Sequence, residues 1–461
     1  MANLILWSCL NRNHAPIRPI GCYQLASWLR QHGYTVKVID FCHQMTPVEL
    51  AEITEKHIGS ETLAIGVSST FWNEYSRTAW ESREPDWVLD ARMLLSTRVK
   101  IPWLLGGAKS PYITEKLDWI KIHGFAEDSL LKWMDENSNR LVRRNLFDVK
   151  NICNSFMIDD FIQPSEVLPI ELGRGCQFKC KFCSYELTGK KRGTYLRDFN
   201  LIKEEFLRNY EQWGTTKYYF QDDTVNESEE KMIALANIVQ GLPFKLRWVG
   251  YNRLDLIGTR PGSALVLKDS GLISTLFGIE SFHPHAARVV GKGWNGKYGK
   301  DFLLKLKEEW KGDINWMCTF IAGLPGEDRT SIEETNQWCI DNKMYGWDLF
   351  PLYINTTRPE GSPSSEFDRT YKDYGYSFKD IKTNNWENDI WTYKEASDLA
   401  EDITIKNRQY QYPTINLLAS LTGLGYSFEE LMHIPTDKLP WAEFMERNKV
   451  MVKNYIDFQL R

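Results

Sequence analysis

The sequence predicts an α/β protein with two parallel sheets in tandem and a mostly helical tail. Three observations carry this. The first ~140 residues alternate short apolar runs with amphipathic stretches, the rhythm of strand–helix units in a parallel sheet. The same rhythm resumes at Leu168 and continues through about six further units, each too short to stand alone. At 461 residues the chain also exceeds what one hydrophobic core usually serves.

In the first unit, residues 4–9 read as a strand and 21–33 as a helix closed by His32-Gly33. Residues 35–41 follow as a strand, 46–57 as a helix, 63–68 and 103–106 as strands, 120–123 as a short fifth strand and 127–137 as a helix. Five strands with helical crossovers predict a doubly wound sheet, whose ligands bind beyond the carboxyl ends of its strands. Those ends carry Asn11 to Pro16, Ser68-Ser69-Thr70, Gly106-Gly107 and Gly124 to Glu127. Residues 141–166 read as a connecting segment. Strands are then expected at 169–172, 217–221, 245–250, 274–279, 315–321 and 348–353, with helices at 201–213, 229–240, 302–311 and 332–342 between them. Together they suggest an open barrel, with its chemistry at the carboxyl ends of the strands. Past Pro359 the chain turns polar and aromatic, punctuated by Gly361-Ser362-Pro363, with helices at 393–407 and 428–433.

Composition narrows the class. Hydrophobic content of 43% and charged content of 25% are ordinary for a soluble globular protein. A net charge of −5 argues against a protein built around a nucleic-acid backbone. No apolar run approaches the length that spans a bilayer, and the N-terminus lacks a basic n-region, so neither a membrane span nor a signal peptide is expected. Nine scattered cysteines form no disulfide framework, which points to a reducing cytosol.

Three of those cysteines stand apart. In Gly173-Arg174-Gly175-Cys176-Gln177-Phe178-Lys179-Cys180-Lys181-Phe182-Cys183 the thiols are spaced by three residues and then two. Such a loop can wrap a cube-shaped iron–sulfur cluster while leaving one iron without a protein ligand, and an open coordination position marks a catalytic metal site. A zinc knuckle usually gathers four ligands as two close pairs, and no matching Cys or His pair follows. The spacing, with Phe182 before the third cysteine, resembles the signature of radical S-adenosylmethionine (SAM) enzymes. The resemblance implies a [4Fe–4S] cluster on Cys176, Cys180 and Cys183, SAM chelated to its open iron, and reductive cleavage of SAM to a 5′-deoxyadenosyl radical.

The resemblance extends over residues 168–353. Gln221-Asp222-Asp223-Thr224 ends the second barrel strand, where family members hold the SAM amino group; acidic residues suit an ammonium, although Asp223 also suits a helix N-cap. Gly278-Ile279-Glu280-Ser281 resembles the family element whose glutamate accepts from the SAM ribose hydroxyls. By the same resemblance Arg253 faces the SAM carboxylate, and Gly323-Leu324-Pro325 packs against adenine. Lys292-Gly293 has a family counterpart without an assigned role. Lys179, Lys181, Lys190, Lys191 and Arg192 read either as a dock for an acidic reductant such as a flavodoxin or as a solvated loop.

Upstream, Gly66-Val67-Ser68-Ser69, Gly106-Gly107 and Gly124-x-Ala126-Glu127 resemble the cobalamin-binding domain of cobalamin-dependent radical SAM proteins. The implied architecture is a Rossmann-like cobalamin-binding-type domain (1–140), a linker (141–166), a partial (β/α)6 radical SAM barrel (167–358) and a mostly helical C-terminal region (359–461). Ser68, Ser69, Gly106, Gly107, Gly124 and Glu127 would then line the cobalamin site. The Asp-x-His-x-x-Gly motif that supplies an axial histidine elsewhere is absent; His14 and His43 lie nearest to such a position, and Phe71-Trp72 is bulky enough to fill the space of the cobalamin tail. The expected activity is cobalamin-mediated methyl transfer to a small-molecule or peptide substrate. The alternatives are SAM-dependent oxidation or rearrangement without cobalamin and, from another class, a non-catalytic iron–sulfur or zinc protein.

Overall fold

Short Val/Ile/Leu-rich runs buried on both faces make the first sheet. In the computed structural model, β1 (Leu4–Trp7), β2 (Val36–Ile39), β3 (Ala64–Ser68), β4 (Trp103–Gly106) and β5 (Ile120–Lys121) pair in the order β2-β1-β3-β4-β5, all parallel. The structure describes residues 1–461 except 10–16, 73–83, 108–109, 114–117, 186, 293–295, 359–362 and 380–384, and the side chain of Tyr112. His14 and the rest of its loop therefore lie outside the described residues, as do Gly293, Gly361 and Ser362.

The helices of this unit are α1 (Ile20–Gln31), α2 (Pro47–His57), α3 (Asp86–Ser96) and α4 (Ala126–Asn137). Thr46 caps α2 with a capping box completed by Glu49, and Pro47 fills the first turn, where its missing N–H is no loss. Helix α3 was not apparent in the sequence: Pro85 provides no side-chain cap, and its buried face includes the polar Arg92.

Residues 141–166 alternate exposed positions with buried ones that tie the segment to the core. Arg18, entirely buried, donates to Glu166 at 2.6 Å and to the Tyr23 hydroxyl at 2.8 Å, while Phe156 and Ile162 belong to the main core.

The second sheet runs in chain order: β6 (Leu168–Ile170), β7 (Lys217–Phe220), β8 (Arg247–Asn252), β9 (Leu272–Glu280), β10 (Asn315–Ala322) and β11 (Gly346–Pro351), all parallel, with β6 and β11 at its edges. The crossovers are α5 (Phe199–Trp213), α6 (Glu229–Gln240), α7 (Leu254–Thr259), α8 (Ser263–Asp269), α9 (Pro284–Val289), α10 (Gly296–Trp310) and α11 (Arg329–Asp341). Asp198 caps α5, and Gly214, with φ 69°, ends it in the left-handed conformation. Six βα units without closure make the expected open barrel.

The tail holds α12 (Glu366–Thr370), the small hairpin β12 (Ser377–Phe378) and β13 (Trp386–Glu387), then α13 (Tyr393–Asn407), α14 (Ile415–Gly423), α15 (Phe428–Leu431) and α16 (Trp441–Leu460). Helix α13 covers the edge strand β11, protecting an otherwise open row of backbone groups. Helix α14 sits at the amino ends of the barrel strands. The Ile415 N–H donates to Ser274 Oγ at 2.6 Å, Lys217 Nζ to Thr422 O at 2.9 Å, and Asn315 Nδ2 to Pro413 O at 3.2 Å. The tail thus plugs one mouth of the barrel and leaves the carboxyl-end mouth to the cysteine loop. Helix α16 returns to the first sheet, where Tyr455 packs edge-on against Phe41 at 5.2 Å and its hydroxyl accepts from the Asp40 N–H at 2.9 Å.

Candidate active site

The cysteine loop leaves β6 at the carboxyl end of the barrel and is held by backbone contacts on several sides. Asp222, just past β7, accepts from the Leu172 N–H at 2.8 Å and the Gly173 N–H at 3.0 Å, and pairs with Lys231 Nζ at 2.6 Å. Gly175 must be glycine: its φ is 72°, and a Cβ there would lie 2.3 Å from Leu187 Cβ and 2.6 Å from Leu187 O. Lys181 is clasped from both directions, its N–H donating to Val290 O at 3.2 Å and its carbonyl accepting from the Phe367 N–H at 3.1 Å.

All three loop thiols are free and half-buried. Cys176 Sγ lies 3.3 Å from Thr224 Oγ1, and Arg253 Nη1 lies 3.5 Å from Cys180 Sγ while its guanidinium stacks 3.9 Å above Phe178. Burial raises the Cys176 thiol and pushes Cys183 up to about 12; bound metal would displace those protons, since coordinating thiols deprotonate. Among the described residues no three Cys, His, Asp or Glu side chains are grouped so as to hold a single metal ion; what the loop offers is three free thiols at its x3 and x2 spacing. That donor set suits a cluster in which each thiolate takes a different iron. Phe182 packs against the barrel core.

The residues expected around SAM fall into two groups. Asp222 is occupied in pinning the loop, so its neighbour Asp223 is the acid that faces open space; burial and the charges of Asp222 and Glu171 raise it to about 6. Arg253 is forked onto Asp255 at 3.0 and 2.6 Å and reaches the sulfur of Cys180. Glu280, the last residue of β9, has φ 69° and pairs with Lys292 at 3.3 Å; burial raises its carboxyl. Ser281 Oγ accepts from the His283 N–H at 2.8 Å. At Gly323, φ 91°, a Cβ would lie 2.3 Å from the Trp386 ring, and the Gly323 carbonyl accepts from the Tyr376 hydroxyl at 2.7 Å. The Gly323-Leu324-Pro325 turn is therefore backed by the tail hairpin.

The basic stretch is largely neutralised. Lys190 is buried against Glu227 at 3.0 Å and donates to Arg174 O at 2.6 Å. Lys181 reaches Glu366 at 3.4 Å, and Arg192 reaches Glu230 at 2.6 Å. Three of the five cations thus serve the loop's own fold.

Between the carboxyl ends of the first sheet and the cysteine loop lies a cavity of about 1150 Å³. Ser68, Gly106, Gly107, Gly124 and Glu127 line it from one side, and Gly173, Arg174, Gly175 and Asp223 from the other. Its size exceeds the roughly 300–1,000 Å³ of ordinary small-ligand pockets. Ser69 does not reach it; its N–H and Oγ both contact Gly106 O at 2.8 Å and fix the β3 and β4 loops together. Gly107, φ 97°, has no room for a Cβ, which would sit 2.6 Å from Thr70 Oγ1. Trp72 does not fill the cavity: it is fully buried in the far core, 6.3 Å from Trp119. His43 does not line it either, whereas His123, beside Gly124, does.

Sequence reasoning missed the polar bridge across this cavity. Arg174 pairs with Glu127 at 2.6 Å and Glu171 at 3.2 Å and donates to Gln24 Oε1 at 3.1 Å. Arg174 was visible beside the cysteines, but its partners lie up to 150 residues away.

The Radical SAM superfamily model matches residues 170–339. An uncharacterized methyltransferase of Pyrococcus horikoshii is 28% identical over 162 residues, 35% of this chain and 34% of that protein. Bacteriochlorophyllide d C-12(1)-methyltransferase of Chlorobaculum tepidum is 24% identical over 204 residues, 44% of this chain and 42% of its own length. The chain thus spans less than half the length of these curated relatives. Across the whole chain, the fold is similar to that of the radical S-adenosylmethionine methyltransferase TsrM from Kitasatospora setae with cobalamin and [4Fe-4S] cluster bound, at a TM-score of 0.63 and 16% identity, covering 98% of this chain and 99% of that one. The cobalamin-dependent S-adenosylmethionine radical enzyme OxsB with aqua-cobalamin bound has a TM-score of 0.63 at 14% identity, covering 99% and 72%. The family match thus takes in the cysteine loop at the mouth of the open barrel and the barrel strands through β10, residues 170–339 of the chain.

Proposed function

We propose that this protein is a cobalamin-dependent radical SAM methyltransferase acting on a small organic or peptide substrate. The observation that carries the reading is the cavity of about 1150 Å³, enclosed jointly by the glycine-rich strand ends of the first sheet and by the cysteine loop. A second cofactor placed there would face SAM directly. When bound, the reduced cluster supplies the electron that cleaves SAM and the corrin supplies a transferable methyl group, chemistry that side chains lack.

The chain's own residues hold and orient. Asp222 and Lys231 fix the loop that carries the thiols. Asp223 offers a carboxylate to an ammonium and Arg253, beside Cys180, a guanidinium to a carboxylate, a pair of charges that suits the two charged ends of an amino acid. Glu280 offers hydrogen-bond acceptance to hydroxyls deeper in the barrel. Gly107 and Gly175, both in the left-handed conformation, let the two walls of the cavity pack against Thr70 and Leu187 where a Cβ would clash. A reducing protein such as a flavodoxin would deliver the electron.

Anaerobic reconstitution with iron, sulfide and hydroxocobalamin, then desalting and assay of SAM with dithionite, tests the reading. The expected result is retained corrin absorbance with formation of 5′-deoxyadenosine and S-adenosylhomocysteine. Loss of all corrin on desalting would sink the cobalamin part. Cys180→Ala should abolish the cluster's absorbance and all SAM cleavage; turnover in that variant would sink the radical SAM assignment.

A further inference from the structure

Lys292 is buried at the end of a short turn that the reading above leaves without a task. Its Nζ donates to Gly278 O at 2.6 Å and lies 3.3 Å from Glu280 Oε1, and both side chains of the pair are 8% exposed. Burying an ammonium and a carboxylate costs several kcal/mol per ion before their attraction is counted, so a pair of this kind is weak evidence for stability. It does fix geometry. Glu280 sits in the left-handed region, φ 69°, which a non-glycine residue rarely adopts and which persists only where its surroundings hold it. Gly278 makes room for this arrangement: a Cβ there would lie 2.5 Å from Glu280 Oε1.

The other end of the same turn touches the cysteine loop. Val290 O accepts from the Lys181 N–H at 3.2 Å. Gly291, φ 85°, lies against the loop, where a Cβ would come into ordinary contact with Cys180 Cα at 3.8 Å. The Lys292 N–H returns to Ala287 O at 2.9 Å and closes the turn. Three consecutive residues therefore connect the backbone beside Cys180 to the carboxylate that ends β9. Lysine suits the position, because its compact ammonium meets a carbonyl and a carboxylate in one buried space, where the larger planar guanidinium would change the geometry of both contacts.

We propose that Val290-Gly291-Lys292 is a strut in which Lys292 is a positioning residue, setting Glu280 at a fixed distance from Cys180 so that SAM engages the cluster and the β9 carboxylate together. This rests on the SAM site proposed above. A cofactor held at two ends is sensitive to small errors in their separation, and Lys292 acts only through Glu280.

The test measures SAM affinity of unreduced, cluster-loaded protein by equilibrium dialysis, together with iron content, melting temperature and the SAM-induced change in the cluster's EPR signal after reduction. Lys292→Met should keep its iron but bind SAM about tenfold more weakly or worse, with a diminished EPR change. Glu280→Gln should weaken binding similarly, and the double variant should bind no worse than Glu280→Gln, because the two residues act as one unit. Lys292→Arg, which keeps the charge, should retain the wild-type melting temperature and iron yet lose SAM affinity, so the idea stays open to refutation if Lys292→Met fails to fold. SAM affinity within about twofold of wild type in Lys292→Arg and Lys292→Met, or additive losses in the double variant, would overturn the strut alone. Failure of the wild-type protein to bind SAM would instead overturn the SAM site itself.

Discussion

Glu327 shows how far a single residue's chemistry depends on where the chain puts it. It ends the Gly323-Leu324-Pro325-Gly326 turn after β10, is 2% exposed, and accepts from Ser331 Oγ at 3.3 Å, with few other polar groups among the described residues to hold its charge. It borders a void of about 20 Å³, room for about one water. Burial raises its pKa from the ordinary 4.5 to about 7. The folded state therefore holds this proton more tightly than the unfolded chain, and stability falls as pH rises from 4.5 to 7. That raised carboxyl corresponds to roughly 3 kcal/mol at most. Glu327→Gln should flatten that limb and melt higher than wild type at pH 8, as read by thermal denaturation from pH 4.5 to 8; identical pH profiles would refute the assignment. Sequence showed the acid but not its state. The same holds for Asp222 and Asp223, adjacent and alike on paper, of which only the first is consumed by backbone N–H groups and Lys231.

Helices were legible where one face is apolar and a cap marks the start, as with α2 and its Thr46–Glu49 box or α6 behind Ser228. Helix α14 was missed because seven of its nine residues are buried, leaving no polar face to set a period. Helix α16 was missed because Pro440 gives no side-chain cap and the buried positions mix Asn448 and Gln459 with Met451 and Ile456. Both helices matter beyond their length: one plugs the barrel and the other binds the tail to the first sheet. Tyr455 is the anchor of the second, 1% exposed and bonded to the Asp40 N–H. Tyr455→Ala should cost about 3–5 kcal/mol, as large aromatic truncations in cores do, and Tyr455→Phe about 1 kcal/mol from the lost hydrogen bond. Chemical denaturation checks both values; no cost in Tyr455→Phe would mean that packing alone holds the helix, and equal costs that the hydroxyl alone does.

For the molecule as a whole, the decisive arrangement is two parallel sheets whose carboxyl ends face one cavity. Arg174 stands at their junction, with Glu171 from the barrel and Gln24 and Glu127 from the first unit. Arg174→Ala would strip the cation from two buried carboxylates, a change that typically costs about 3–5 kcal/mol. Calorimetry should show a lower, broadened or divided transition, with the cysteine loop's iron content reduced; an unchanged single transition would show that the apolar contacts alone join the two units. The sequence by itself determined the two runs of βα units, the three-cysteine loop, the resemblance to radical SAM enzymes and most strand positions, because each is written in local spacing: thiols within eight residues, periods of two and 3.6, glycines at strand ends. Only the tertiary structure decided which acid faces the cavity, that Trp72 leaves it open, that the tail seals the opposite mouth, and that Lys292 joins Glu280 to the cysteine loop. These are long-range outcomes of burial and pairing, and no local pattern encodes a partner a hundred residues away.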